Sequence, residues 1–149
     1  GLSLPIYPVK GYSVTLPLAE NSDAPQVSIT DEPHRIVCSR LGNRLRFAGT
    51  AELTGYDTSI DPVRCAAILR RARQLFPQVQ SAGEAEYWAG LRPATPSNVP
   101  VIGRSRIGNL FFNTGHGTLG WTLACGSGQA VADIIDGKMP PVDFPFSDL

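Results

Sequence analysis

Alternating apolar and polar residues dominate the first third of the chain and predict β-strands. From Tyr7 to Leu18 the residues alternate and include β-branched types, and Gly11 inside this stretch indicates a bulge or a close approach of another backbone. Further strands are predicted at 27–30, 34–41 and 44–53, and the last two flank Gly42 and Asn43, a pair typical of a hairpin turn.

Two other stretches carry apolar residues at helical spacing. Asp61 and Pro62 supply an N-cap and a first-turn proline, and the apolar positions after them predict an amphipathic helix as far as Pro77. The outer face of this helix carries four arginines, a pattern typical of a solvated face, and we assign them no function. They are Arg64, Arg70, Arg71 and Arg73. A second helix is predicted at 119–135, ending at Asp136 and Gly137.

The remaining segments mix short strands with proline-rich connections. Strands are predicted at 84–91, 99–103 and 110–114, and the proline-rich tail at 139–149 is predicted to be irregular. Because runs of strands surround two separated helices, the pattern predicts an α+β fold with a mainly antiparallel sheet.

Composition and charge narrow the functions open to this chain. Its 149 residues, 42% of them hydrophobic, are enough to bury the core of one compact domain. Thirteen basic residues balance thirteen acidic ones. This balance argues against nucleic acid or an anionic membrane surface as a partner and favours a small molecule.

The cysteines and the hydropathy of the chain argue against disulfide-rich, metal-binding and membrane-spanning classes of protein. Cys38, Cys65 and Cys125 are odd in number and far apart, so we expect buried thiols in a reducing compartment and neither a disulfide framework nor a metal site. No apolar run approaches the roughly 20 residues that a membrane span needs. We expect no signal peptide and no transmembrane helix.

Residues 115–120 spell G-x-G-x-x-G between a predicted strand and a predicted helix, as a dinucleotide-binding fingerprint does. A Rossmann unit also needs a second parallel strand, whereas residues 138–141 after this helix are Lys-Met-Pro-Pro. We interpret the motif as a glycine-rich turn at a helix N-terminus. Two readings stay open: a turn that holds an anionic or electron-rich group, or an ordinary tight connection. Small residues at 124–130 predict that another element packs close to the helix.

Three motifs, in order along the chain, resemble the carboxy-terminal part of the D-amino-acid oxidase superfamily of FAD-dependent flavoproteins. They are YWAGLRPATP at 87–96, PVIG at 100–103 and NTGHGTLGWT at 113–122, and YPVKGYS at 7–13 with AE and GY at 51–52 and 55–56 also fits. Within the superfamily, the chain is most similar to the small subunit of bacterial D-amino-acid dehydrogenases. Members of this family begin with a Rossmann half bearing the true fingerprint. We expect that half to be missing here, and FAD to be absent from this chain alone.

The resemblance implies that two parts of the chain have different roles. It assigns 1–107 to a substrate-binding region and 108–138 to a strand, loop and helix that contribute to an FAD domain. Arg92 would hold the substrate carboxylate, a role that suits the planar guanidinium fork. Tyr12 and Tyr56 are candidate pocket residues, although strand tyrosines commonly serve packing. The residues implied to face the flavin are Gly115, His116, Gly117, Thr118, Leu119, Gly120 and Thr122, with His116 in a positioning role and no certain catalytic residue.

By the same resemblance, the parent reaction is hydride transfer from a D-amino acid to FAD, giving a 2-oxo acid and ammonia after hydrolysis, with electrons passing to a respiratory acceptor. Two alternatives stay open: a glycine- or sarcosine-type amine oxidase, and a catalytically silent binding module. We also expect a homodimer or swapped assembly of the chain that covers the helix at 119–135. The implied location is the cytoplasm or the inner face of the bacterial cytoplasmic membrane.

Overall fold

The computed structural model describes residues 1–148 and contains two helices among short and long strands. In chain order the elements are β1 (Tyr7–Pro17), β2 (Ile29–Asp31), β3 (Ile36–Leu41), β4 (Arg44–Glu52), α1 (Pro62–Leu75), β5 (Glu86–Ala94), β6 (Val101–Arg104), β7 (Phe111–Thr114), α2 (Gly120–Ile135) and β8 (Ser147–Asp148). Contacts divide the chain into two compact units, one formed by residues 10–91 and the other by residues 1–9 with 92–149. No helix in the described residues is long and apolar enough to cross a membrane.

The unit of residues 10–91 contains most of a five-stranded sheet in the order β2-β3-β4-β1-β5, with α1 packed against β4. The pairings of β1 with β4, of β3 with β4 and of β2 with β3 are antiparallel, and the register of β1 shifts between Lys10 and Tyr12. This shift confirms the bulge expected at Gly11. Alternate residues of β1 and β4 enter the core and meet one face of α1. The largest buried side chains there include Tyr12, Val14, Leu45, Phe47 and Cys65.

The other unit is built on a three-stranded sheet in the order β7-β6-β8, with α2 in contact with β6 and β7. Ser127, Ala130 and Ile134 are buried on the inner face of α2, and Arg104 of β6 donates to the Ile134 carbonyl. The opposite face of α2 is exposed to solvent. Trp121 is 96% exposed, and a Cβ on Gly126 or Gly128 would meet no atom within 4 Å. The close partner expected for this helix is not among the described residues.

The mainly antiparallel α+β architecture is confirmed, with local differences from the sequence predictions. His34 lies in a 3-10 turn and not in a strand, because Arg35 adopts a left-handed backbone and β3 begins only at Ile36. The exposed face of α2 carries Cys125, so only Cys38 and Cys65 are buried thiols. The tail expected to be irregular contains β8, which pairs parallel to β6, while Leu149 lies outside the described residues.

The domain boundary predicted from the sequence and the boundary between the two compact units fall at different places. The contacts separate the units between Leu91 and Arg92, within β5, whereas the sequence places a boundary after 107. The assignment of 1–107 to substrate binding and of 108–138 to an FAD domain therefore stays a prediction.

A buried carboxylate joins the end of β2 to α1. Asp31 accepts a 2.6 Å hydrogen bond from Nε of Arg71, and Nδ1 of His34 lies 3.1 Å from the same carboxyl group. The hydrogen bond from Arg71 outweighs burial and, with His34, lowers the pKa of Asp31 below its ordinary value of 3.8. The α1 arginines thus do not all lie on a merely solvated face, since Arg71 holds this buried charge.

We expect Asp31→Asn to lower the free energy of unfolding at neutral pH, because Arg71 loses a charged acceptor. The folded-state pKa of Asp31 is depressed, so its stabilisation is present above 3.8 and is lost as pH falls through the folded-state pKa. Urea midpoints of wild type and variant should therefore converge below that pH. Asp23→Asn, at an exposed position, serves as the control. A wild-type advantage that is independent of pH would contradict this account.

Candidate functional site

The glycine-rich loop between β7 and α2 is hydrogen-bonded to the end of β5. The Gly117 amide donates to the Pro93 carbonyl at 2.9 Å, and Ala94 forms an antiparallel bridge with His116. Arg92 directly precedes Pro93 in the strand. Main-chain hydrogen bonds therefore hold the loop and the backbone next to Arg92 in one arrangement.

Two glycines of this loop adopt a left-handed backbone, with φ of 78° at Gly115 and 53° at Gly117. A Cβ on Gly115 would lie 2.7 Å from Cγ2 of Thr95. Thr95 has little freedom to move away, because it is buried and its hydroxyl donates to the Val99 carbonyl at 2.9 Å. Gly120 differs, since it lies in α2 and a Cβ there would make an ordinary 3.6 Å contact with Cβ of His116.

The loop also presents polar groups that the described chain leaves without partners. Nε2 of His116 is buried and has no hydrogen-bond partner among residues 1–148. No side chain of this part of the chain caps α2 at Leu119, so the first amides of the helix keep the partial positive charge of a helix N-terminus. A Cβ on Gly117 would meet no atom within 4 Å, so the loop is open on that side. This surface suits an anionic or electron-rich group.

Arg92 occupies a half-buried position near the end of β5. Burial lowers the pKa of its guanidinium, which still stays charged at neutral pH. A half-buried cation on a strand is held more rigidly than one at a loop tip, which favours a two-bond contact with a carboxylate.

The two candidate pocket tyrosines have different surroundings. Tyr12 is 1% exposed, and its hydroxyl donates to Oε2 of Glu52 at 2.5 Å. Burial raises the pKa of Tyr12 above 10, so the phenol stays neutral. Tyr56 is 86% exposed in the turn after β4. The structure leaves the Tyr56 ring accessible and engages the Tyr12 hydroxyl internally, while substrate binding by either stays a prediction.

Sequence reasoning missed a cluster of charged side chains around the buried Lys10. The Lys10 side chain is 2% exposed, and its Nζ lies 3.3 Å from Glu52, 3.2 Å from Asp57 and 3.1 Å from the Ser59 carbonyl. Burial would lower its pKa, but hydrogen bonds with Tyr12, Asp57 and Glu52 outweigh burial and raise it. The available signal was a lysine inside an apolar strand, two residues from a core tyrosine. The cluster anchors the loop that carries Tyr56.

We expect Lys10→Met to lower the Tm by several degrees, because Glu52 and Asp57 would both lose their buried cation. Lys10→Arg, which keeps the charge, should recover part of the loss. Thermal unfolding followed by circular dichroism measures both variants. The control is Arg44→Gln, which breaks the exposed 3.1 Å pair with Glu86 and should change the Tm little. Equal effects of Lys10→Met and Arg44→Gln would argue against a stabilising role of the cluster.

The chain is closely similar to bacterial proteins called D-amino acid dehydrogenase. The protein of Dechloromonas aromatica (strain RCB) is 60% identical over 146 residues, which are 98% of this chain and 35% of that protein. The protein of Paramagnetospirillum magneticum (strain ATCC 700264 / AMB-1) is 58% identical over 138 residues, 93% of this chain and 33% of that protein. The chain therefore spans about a third of the length of these curated relatives.

The fold is also found in solved structures of longer proteins. Glycine oxidase from Geobacillus kaustophilus matches with a TM-score of 0.80 and 29% sequence identity, over 100% of this chain and 40% of that one. A profile of the DAO family, described as FAD dependent oxidoreductase, matches residues 1–134, which is most of the chain. The chain therefore belongs to the DAO family of FAD-dependent oxidoreductases.

Proposed function

We propose that this chain is the carboxy-terminal part of an FAD-dependent D-amino-acid dehydrogenase, which converts D-amino acids to 2-oxo acids and ammonia. The observation that carries the proposal is the 2.9 Å hydrogen bond from the Gly117 amide to the Pro93 carbonyl. It ties the loop proposed to face the flavin to the backbone beside the arginine proposed to hold the substrate. High identity to bacterial D-amino acid dehydrogenases supports the same activity.

The glycine-rich loop has the chemistry to hold the edge of a flavin. Its open side at Gly117, the uncapped N-terminus of α2 and the unpartnered Nε2 of His116 fit a planar ring with electron-rich edges. FAD, when bound, supplies the acceptor for the hydride that leaves the substrate α-carbon. The residues proposed to contact it are Gly115, His116, Gly117, Thr118, Leu119, Gly120 and Thr122. Their amides and the His116 ring would fix its position and favour negative charge at its edge.

Arg92 is proposed to bind the substrate carboxylate with two parallel hydrogen bonds, which orients the α-carbon. Tyr56 is proposed to contact the substrate, on a loop that Lys10 anchors through Asp57 and Ser59. Tyr12 is also proposed as a substrate-binding residue, with its hydroxyl held by Glu52.

A second candidate is oxidation of glycine or related amines with oxygen as the acceptor. The similarity to glycine oxidase from Geobacillus kaustophilus favours it, because the alignment covers the whole chain. Arg92 would serve either reaction, since both kinds of substrate carry a carboxylate. The lower identity, 29% against 60%, makes it the second choice.

The partners and location are proposals as well. We propose a D-amino acid as substrate, a respiratory electron acceptor, and a location in the cytoplasm or on the inner face of the cytoplasmic membrane. For the chain by itself we propose self-association through α2, because Trp121 and Met139 are 96% and 91% exposed and neighbouring apolar residues are open. The chain alone is proposed to retain no FAD and to be catalytically silent.

Absorbance and turnover test the proposed function directly. The full-length protein containing this sequence should be purified with FAD, show the flavin absorbance bands, and bleach them anaerobically with D-alanine but not with L-alanine. Steady-state rates with an artificial electron acceptor and with oxygen separate a dehydrogenase from an oxidase. Bleaching by glycine alone would favour the second candidate. An FAD-saturated protein that no amino acid reduces would overturn both.

A further inference from the structure

The bulge at which β1 and β4 change register decides which side chain of β4 faces Lys10. On one side of the bulge, Tyr12 pairs with Gly49. On the other side Lys10 pairs with Glu52, so β4 has one residue more than β1 across this stretch. Thr50, inside the bulge, has φ of 69°, a left-handed backbone that a β-branched residue adopts only under strain. Without the extra residue, Glu52 would project from the other face of the sheet.

The Glu52 carboxylate holds two side chains of β1 at once. Its Oε2 accepts the hydrogen bond from the Tyr12 hydroxyl and lies 3.3 Å from Nζ of Lys10. Its Oε1 lies 3.4 Å from Nε of Arg64 on α1. The hydrogen bond from Tyr12 lowers the pKa of Glu52, so this carboxylate is charged at neutral pH. The bulge therefore supplies the buried Lys10 ammonium with a fixed negative charge.

The other contacts of Lys10 are with the segment 53–60, which connects β4 to α1. Nζ donates to Oδ2 of Asp57 at 3.2 Å and to the Ser59 carbonyl at 3.1 Å. Asp57 also accepts from the amide and the hydroxyl of Ser59, both at 2.8 Å, so the two acceptors belong to one hydrogen-bonded turn. Tyr56, next to Asp57, is 86% exposed. Polar contacts to a buried cation thus hold this turn beside an exposed aromatic side chain.

We propose that Lys10 is a positioning residue for the oxidation of D-amino acids, and that it fixes the segment 53–60 so that Tyr56 meets the substrate in one orientation. The inference rests on the proposed function. Lys10 acts through Tyr56 and not by contact, because its side chain is 2% exposed. A segment that is ordered before the substrate arrives loses less entropy on binding, so Lys10 affects KM more than kcat. The strain at Thr50 is the cost of placing Glu52 beside Lys10.

A double-mutant cycle in the full-length protein tests whether Lys10 acts through Tyr56. Lys10→Met should raise KM for D-alanine about tenfold and change kcat less than about twofold, and Lys10→Arg should recover part of the loss. In a Tyr56→Ala background, Lys10→Met should raise KM less than about twofold further, because the side chain that it positions is absent. Arg44→Gln, which breaks an exposed pair in the same sheet, should leave both constants near wild type. Circular dichroism at the assay temperature checks folding.

Amide hydrogen exchange of the 149-residue chain tests the anchoring without any activity. Peptides from the segment 53–60 should exchange at least about threefold faster in Lys10→Met than in wild type, whereas peptides from 36–41 should not change. Asp57→Asn is the second variant, because the Asp57 side chain is 50% exposed and its replacement leaves the core intact. It should accelerate exchange of the same segment by a smaller factor and raise KM by a smaller factor.

The two experiments distinguish failure of this inference from failure of the proposed function. If the full-length wild type oxidises no amino acid, the proposed function fails, and the positioning role fails with it. If the wild type oxidises D-alanine but Lys10→Met raises KM equally with and without Tyr56, only the positioning role is wrong. Unchanged exchange of 53–60 in both Lys10→Met and Asp57→Asn would likewise overturn the role of Lys10 alone.

Discussion

Replacement of Arg92 by alanine in the full-length protein is expected to lower kcat/KM for D-alanine by about 30-fold to several-thousand-fold. This range corresponds to about 2 to 5 kcal/mol of transition-state binding, as expected when a buried charged hydrogen-bonding partner is removed. The guanidinium is half-buried on a strand, and burial lowers its pKa. Its removal would leave the substrate carboxylate without a fixed charge to orient the α-carbon. We therefore expect kcat to fall and KM to rise.

Two further variants separate orientation from charge. Arg92→Lys keeps the positive charge and loses the two-bond geometry, so it should raise KM more than it lowers kcat. Arg106→Ala removes an exposed arginine of the same unit and should leave kcat/KM near wild type. Steady-state kinetics with D-alanine and an artificial acceptor provide the measurement. Near-normal kcat/KM in the Arg92→Ala protein would place the carboxylate site elsewhere.

Valine in place of Gly115 is expected to abolish FAD retention by the full-length protein. The backbone there has φ of 78°, which a β-branched residue adopts only under strain, and a Cβ would come within 2.7 Å of the buried Thr95 side chain. Strain and overpacking together cost about 2 to 5 kcal/mol. We expect the loop to move away from Thr95 and to lose its hydrogen bonds with Pro93 and Ala94. The polar groups proposed to face the flavin would move with it.

Gly108→Ala is the matched control, because a Cβ there would meet no atom within 4 Å and Gly108 is not among the residues proposed to contact the flavin. Flavin absorbance per protein measures retention, and circular dichroism shows whether the variant stays folded. Gly117→Val provides a milder case, with strain at φ of 53° and open space around the new side chain. If it still binds FAD, its reduction potential should fall, since displaced amides stabilise the reduced ring less. A folded Gly115→Val protein with normal FAD content would contradict the proposed role of the loop.

Local elements were predictable because their signals lie within a few residues of one another. Asp61 caps α1 as expected, with its carboxylate accepting from the amides of Val63 and Arg64. Gly11 marks the bulge in β1, and Gly42 with Asn43 connects β3 and β4. The family motifs were also readable from the sequence, and the match of the family profile over residues 1–134 confirms the family.

The sequence by itself thus determined most of the strands, both helices, the glycine-rich turn and the family, since backbone propensity, capping and motif order are properties of neighbouring residues. It did not reveal β8, whose pairing with β6 joins residues far apart in the chain. Only the tertiary structure decided which charges are matched. Lys10 meets Glu52 and Asp57, and Asp31 meets Arg71, across about 40 residues or more of chain. Those pairs depend on strand register and on the packing of α1. No short window of sequence contains that register, because a shift of one residue would turn each side chain to the opposite face.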